Sequence, residues 1–136
     1  RAEPLLAEAL QRYRTAFGEN DPGTLRALNN LGYVHDLQEH YEDAEALYRA
    51  ALEARRRLSG DEHPETLTVM NNLAFALSGL GREAEAEPLY RGAMEGRRRV
   101  LGDEHPDTIA AMSNYGVVLR ESGRHAEAEQ LAATVV

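Results

Sequence analysis

A period of 42 residues governs this chain. Gly18, Gly60 and Gly102 stand that far apart. So do Pro22, Pro64 and Pro106; Thr24, Thr66 and Thr108; Asn30, Asn72 and Asn114; and Ala44, Ala86 and Ala128. The phrase "GDEHPETLTVMNNLAFAL" at Gly60 returns as "GDEHPDTIAAMSNYGVVL" at Gly102, and in a blurred form as "GENDPGTLRALNNLGYVH" at Gly18. Seventeen of 42 positions are identical between the first two full units, which marks one supersecondary unit copied and stacked. Such a unit cannot bury its apolar face alone and needs its neighbours.

Each unit reads as two helices. The first opens after Asp21, His63 or His105, with proline at its first position. There the missing N–H has no helical partner to lose. Glu65 and Asp107 follow, suited to the positive end of the helix dipole. Leu67, Met70, Leu73, Ala74 and Leu77 then form an apolar stripe at three-four spacing. Gly81 and Gly123 stop the helix; unit one has Glu39 there, so its turn is expected to differ. The second helix carries Ala86, Leu89, Tyr90 and Ala93 on one side and ends in Arg97, Arg98 and Arg99.

Composition removes several function classes. A net charge of −8 argues against general nucleic-acid binding, which needs a basic footprint. Without cysteine there is no disulfide, thiolate metal site or cysteine nucleophile. No stretch approaches the length of a membrane span, and a cytoplasmic protein is expected. All fifteen basic residues are arginine, and alanine is abundant, which points to a GC-rich, bacterial genome.

The residues resemble the tetratricopeptide repeat family. Unit one supplies Leu28, Leu31, Gly32, His35, Ala44, Tyr48 and Ala51 at the family's pattern positions. Unit two supplies Met70, Leu73, Ala74, Leu77, Ala86, Tyr90 and Ala93. Unit three supplies Met112, Tyr115, Gly116, Leu119 and Ala128, then departs at Ala132 and Val135. The usual unit has about 34 residues, and the longer period and the wording "EHPxT…NNLA…EAExLYRxA" are similar to the kinesin-light-chain type. The resemblance implies an all-α fold, a right-handed α-α superhelix of antiparallel helix pairs. It would be a single array over 1–136: the second helix of a truncated repeat at 1–17, then repeats at 18–59, 60–101 and 102–136, the last incomplete. It also implies a protein-interaction scaffold, not an enzyme, holding a protein or extended peptide in a concave groove lined by the first helices.

The groove residues follow from the stripe. Opposite the buried side, unit one carries Arg26, Asn29, Asn30, Tyr33 and Asp36. Unit two carries Thr68, Asn71, Asn72, Phe75 and Ser78; unit three carries Ala110, Ser113, Asn114, Val117 and Arg120. An Asn amide both donates and accepts hydrogen bonds, so a ladder of them suits a peptide backbone of any sequence. The plainer reading is that these asparagines are merely soluble surface residues, or bond across neighbouring helices. Kinesin light chains use basic groove residues for acidic peptides. Arg26 and Arg120 are the basic side chains here, in an acidic chain, so that preference does not carry over.

No catalytic site, cofactor or metal site is expected. His63 and His105 sit beside carboxylates in "DEHP", but Asp21 replaces them in unit one, which fits a helix cap better than a ligand. His35 lies on the packing stripe; His40 and His125 read as surface residues. The "RRR" runs read as dipole compensation and solvated ends. Gly116→Leu is expected to damage the fold severely by overpacking a close helix contact. Two other roles remain: a self-assembly module stacking end to end through exposed repeat ends, giving a homo-oligomer, and a sensor arm of a larger enzyme.

Overall fold

The computed structural model describes residues 21–135 continuously, with residues 8, 10–12, 14–16 and 18 before them. Six helices follow one another: α1 (Pro22–Leu37), α2 (Tyr41–Ser59), α3 (Pro64–Gly79), α4 (Glu83–Leu101), α5 (Pro106–Glu121) and α6 (His125–Val135). Of the expected leading helix at 1–17, the described residues from 8 to 16 are helical, and the others lie outside the described residues. Each helix packs on the next, and α1 also reaches α3. The result is an all-α superhelix of antiparallel pairs, with no strand among the described residues.

The starts of α1, α3 and α5 have one design. Asp21, His63 and His105 are extended, with φ near −67° in each case, and proline follows. The Asp21 carboxylate accepts the Gly23 N–H at 2.8 Å. His63 Nδ1 accepts the Glu65 N–H at 3.2 Å, and His105 Nδ1 accepts the Asp107 N–H at 3.0 Å. The two histidines therefore do the work of an aspartate, satisfying a helix donor that has no partner in the helix. Replacing His63 with alanine should cost about 0.5–2 kcal/mol, while His63→Asp should keep the cap. Urea unfolding of the two variants separates these outcomes.

The turns between paired helices are alike, against expectation. Glu39 takes φ 61°, the same left-handed region as Gly81 at 77° and Gly123 at 79°. In all three the next N–H reaches back over the turn: His40 to the His35 carbonyl at 2.8 Å, Arg82 to Leu77 at 2.9 Å, Arg124 to Leu119 at 2.7 Å. Unit one keeps the turn and accepts a strain on the order of 1 kcal/mol for a residue with a Cβ there.

The recurrent threonines are fully buried. The Thr24 hydroxyl donates to the Gly18 carbonyl at 2.9 Å, and that of Thr108 donates to the Arg97 carbonyl at 3.2 Å. They tie a first helix to the chain before it. Thr66 keeps the residue but has no hydrogen-bond partner for its hydroxyl. Leu67, Leu73 and Leu77 are buried in the core, and Tyr48 and Tyr90 are buried against the first helix of their own pair, Tyr48 beside Gly32 and Tyr90 at Ser78. α4 continues through Pro88 in its second turn, a position that disfavours helix by about 3 kcal/mol. Burial of Ala86, Tyr90, Ala93 and Met94 on either side of it holds the helix.

Two expectations need correction. The arginine runs are not simply solvated ends. Arg55 is buried, pairs with Glu65 at 3.1 Å and reaches the Pro22 carbonyl, so it links α2 to the starts of α1 and α3. Its counterpart Arg97 donates to the Thr68 hydroxyl at 3.1 Å, across α4 and α3. Gly116, in turn, is not in a close contact. Unit three has Ala132 where the others have Tyr48 and Tyr90, and the space is a cavity of about 220 Å³ lined by Met112, Gly116, Val117, Ala128, Leu131 and Ala132.

Candidate partner-binding face

The face shared by α1, α3 and α5 carries an exposed apolar row. Tyr33 and Phe75 are 54% exposed and Val117 is 45% exposed, at one repeat spacing. These side chains are held out by geometry, because the opposite sides of the same helices bury Leu28, Leu31, Met70, Leu73, Met112 and Tyr115. Beside the row, Arg26, Asn29 and Asn30 line a cavity of about 220 Å³ with Arg55, Glu65 and Thr68. Arg120 is exposed at the far end of the face and borders the unfilled space at α5 and α6.

The asparagines are bonded to one another. The Asn72 amide donates to the Asn29 Oδ1 at 3.2 Å, and Asn114 donates to the Asn71 Oδ1 at 3.2 Å. The donor holds the second of the two adjacent positions (30, 72 and 114), and the acceptor holds the first position in the unit before. Asn30, the second Asn of unit one, is exposed. One amide N–H of each donor and one lone pair of each acceptor are used this way, which leaves each amide with further hydrogen-bonding capacity. The ladder is therefore an inter-repeat tie first. A double-mutant cycle of Asn29→Ala and Asn72→Ala should return a coupling of about 0.5–1.5 kcal/mol, measured by denaturant unfolding.

Asp36 does not belong to this face. It is 7% exposed, and its Oδ2 accepts the Tyr48 hydroxyl at 2.8 Å. Burial pushes its carboxyl above the usual carboxylate range, opposed by the Tyr48 bond and by His35. Burial also raises the Tyr48 phenol, helped by the same hydrogen bond and the nearby carboxylate. At the equivalent place unit two has Ser78, a side-chain hydrogen-bond partner of Tyr90. By helical angle alone Asp36 falls on the groove face. The signal against that placement is the tyrosine twelve residues on, whose hydroxyl needs a partner once buried.

Among the described residues no helix is long and apolar enough to cross a membrane. The face presents an apolar row beside amide groups on a stacked-helix scaffold.

The chain belongs to the tetratricopeptide repeat family, whose model matches residues 1–57, 40–95 and 65–136. Arrays of this family generally mediate protein–protein interactions. Among solved structures the chain is similar to BtubC (BKLC) from P. vanneervenii, with a TM-score of 0.90 at 24% identity over 98% of this chain and 54% of that one. It is also similar to a kinesin-light-chain-type array of nearly identical TPR-like repeats from Podosopora anserina, with a TM-score of 0.82 at 22% identity over 98% of this chain and 64% of that one. At those identities the likeness is one of fold, and the chain spans less than two thirds of either structure. A search of curated proteins found no match.

Proposed function

We propose that the face of α1, α3 and α5 is a concave groove that binds an extended peptide or a segment of a partner protein, and that the chain is a non-enzymatic cytoplasmic scaffold. One observation carries this reading: Tyr33, Phe75 and Val117 stand exposed in register along one face, at a period set by the repeat. Large apolar side chains held in water in an ordered row suit a partner that covers them. Arg26, Asn29, Asn30 and Arg120 flank the row with polar groups; Asn71, Asn72 and Asn114 contribute the amide capacity their mutual bonds leave over. Partner backbone would meet the amides, and its apolar side chains would meet the rings.

The test is a screen of an immobilised random-peptide library against the chain and against Tyr33→Ser/Phe75→Ser. Both rings are already half in solvent, so the variant should stay within about 0.5 kcal/mol of the parent in stability. Peptides captured by the parent and lost by the variant support the groove. Peptides captured equally by both place the binding elsewhere.

A second reading is favoured by the unfilled space between α5 and α6, where a large side chain of another copy would find Met112, Val117 and Leu131. End-to-end assembly of that kind makes the mass in light scattering rise with concentration. A constant monomer mass rules it out.

A further inference from the structure

We propose that His35, His40 and Asp43 form a binding site for a first-row divalent transition-metal ion of the Zn²⁺ class. The three residues come from the last turn of α1, the residue before α2 and the first turn of α2. One ligand atom from each lies within 4.8 Å of the other two. His35 Nδ1 is 3.9 Å from Asp43 Oδ2, and the two imidazole rings are 5.8 Å apart and tilted by 44°.

The other two repeats serve as internal controls. Where unit one has His40 and Asp43, units two and three have Arg82 with Glu85 and Arg124 with Glu127. Each of those arginines grips its glutamate with two N–H groups, at 2.6 and 2.9 Å in unit two and at 2.7 Å twice in unit three. Where unit one has His35, they have Leu77 and Leu119, both essentially fully buried. So at a place where two repeats hold an arginine over a carboxylate, the third removes the cation, keeps a carboxylate and brings in two imidazoles. A metal ion would restore the missing positive charge.

The backbone already fixes the spacing. The His40 N–H bonds the His35 carbonyl at 2.8 Å across the turn at Glu39, so the two histidine backbones stay together while the turn holds and leave the side chains to adjust. His40 also differs from the other helix-leading histidines. His63 and His105 spend Nδ1 on a helix N–H, whereas His40 makes no side-chain cap bond. Its ring is thus available as a ligand.

The donor set is chemically apt. Two imidazole nitrogens and one carboxylate oxygen bind Zn²⁺ at about 2.0–2.2 Å, which leaves a fourth position for water or a partner's side chain. Tetrahedral donors at that range stand about 3.3 Å apart. Reaching it from the present separation needs an ångström-scale swing of His40 and Asp43, both exposed, toward the His35 ring, which is 12% exposed and held by packing. Nitrogen-rich sites of this kind prefer Cu²⁺, Ni²⁺ and Zn²⁺ over Mg²⁺ or Ca²⁺.

Zn²⁺ is titrated calorimetrically into the whole chain, into His35→Leu and into His40→Arg/Asp43→Glu. Both variants carry residues that the other repeats carry at the same positions, which favours an intact fold. The expected result is one equivalent bound by the parent and a loss of affinity of about tenfold or more in each variant. Binding no tighter than millimolar in the parent, or undiminished binding in either variant, overturns the site. A second readout needs no variant: on Zn²⁺ addition the imidazole NMR signals of His35 and His40 should move together. Movement confined to His63, His105 and His125 also overturns it.

Discussion

Tyr48→Ala is expected to cost the fold about 3–5 kcal/mol, and Tyr48→Phe about 1–3 kcal/mol. The ring is fully buried and packs against Gly32 of the preceding helix. Alanine removes that volume between α1 and α2 and leaves a cavity. Phenylalanine keeps the volume but removes the donor on Asp36. The Asp36 Oδ1 already has no hydrogen-bond partner, so the variant strips the buried carboxyl of its hydroxyl donor. A buried acceptor left bare costs its desolvation, which is why the smaller change still matters. Guanidinium unfolding gives both numbers. A phenylalanine variant as stable as the parent would show that the Asp36 bond contributes nothing net. An alanine variant no worse than phenylalanine would show that the ring packs poorly.

Leucine at Gly32 and leucine at Gly116 should behave very differently, although the two glycines hold the same place in their repeats. A Cβ at residue 32 would sit 2.7 Å from Tyr48 Cε1, closer than carbon atoms can pack. Gly32→Leu is therefore expected to lose about 3 kcal/mol, the upper end of core overpacking. At residue 116 the nearest atoms would be Arg120 Nη1 at 3.7 Å and Leu131 Cδ2 at 3.8 Å, both ordinary contacts. The new side chain there has the α5–α6 cavity to enter, and removing a helical glycine itself stabilises by roughly 0.5–1 kcal/mol. Gly116→Leu should be neutral or stabilising. Melting both variants tests the difference; equal, large losses would mean that the space beside Ala132 closes in solution.

The helices themselves could be read from residues. Proline after Asp21, His63 or His105, the three-four stripe of leucines and the small residues at fixed spacing all reflect local preferences, and local preferences survive in a string. What escaped was relative placement. Asn72 meets Asn29 at a separation of 43, one more than the period, and that offset exists once two helices stack side by side. A search for polar pairs at the period plus one would have found both ties. Arg55 looked like a solvated end because the run it belongs to is charged throughout; its burial depends on where the next helix begins. The void beside Gly116 was legible in principle, from the loss of tyrosine at Ala132, but the rule that small means close concealed it. His35 reads as core from its place on the stripe and His40 as surface, and the turn at Glu39 that brings them together is not visible in either reading.

The asparagine ladder also bears on how unfolding spreads. In a linear array the free energy divides into a part intrinsic to each unit and a part belonging to each junction. Each Asn–Asn tie runs from one unit into the one before, so its whole contribution falls on the junction. Stronger junctions relative to units lengthen the stretch that must open together. Two modest side-chain bonds thus act as a brake on piecemeal melting, and they bias the described array toward opening as one block rather than peeling from an end.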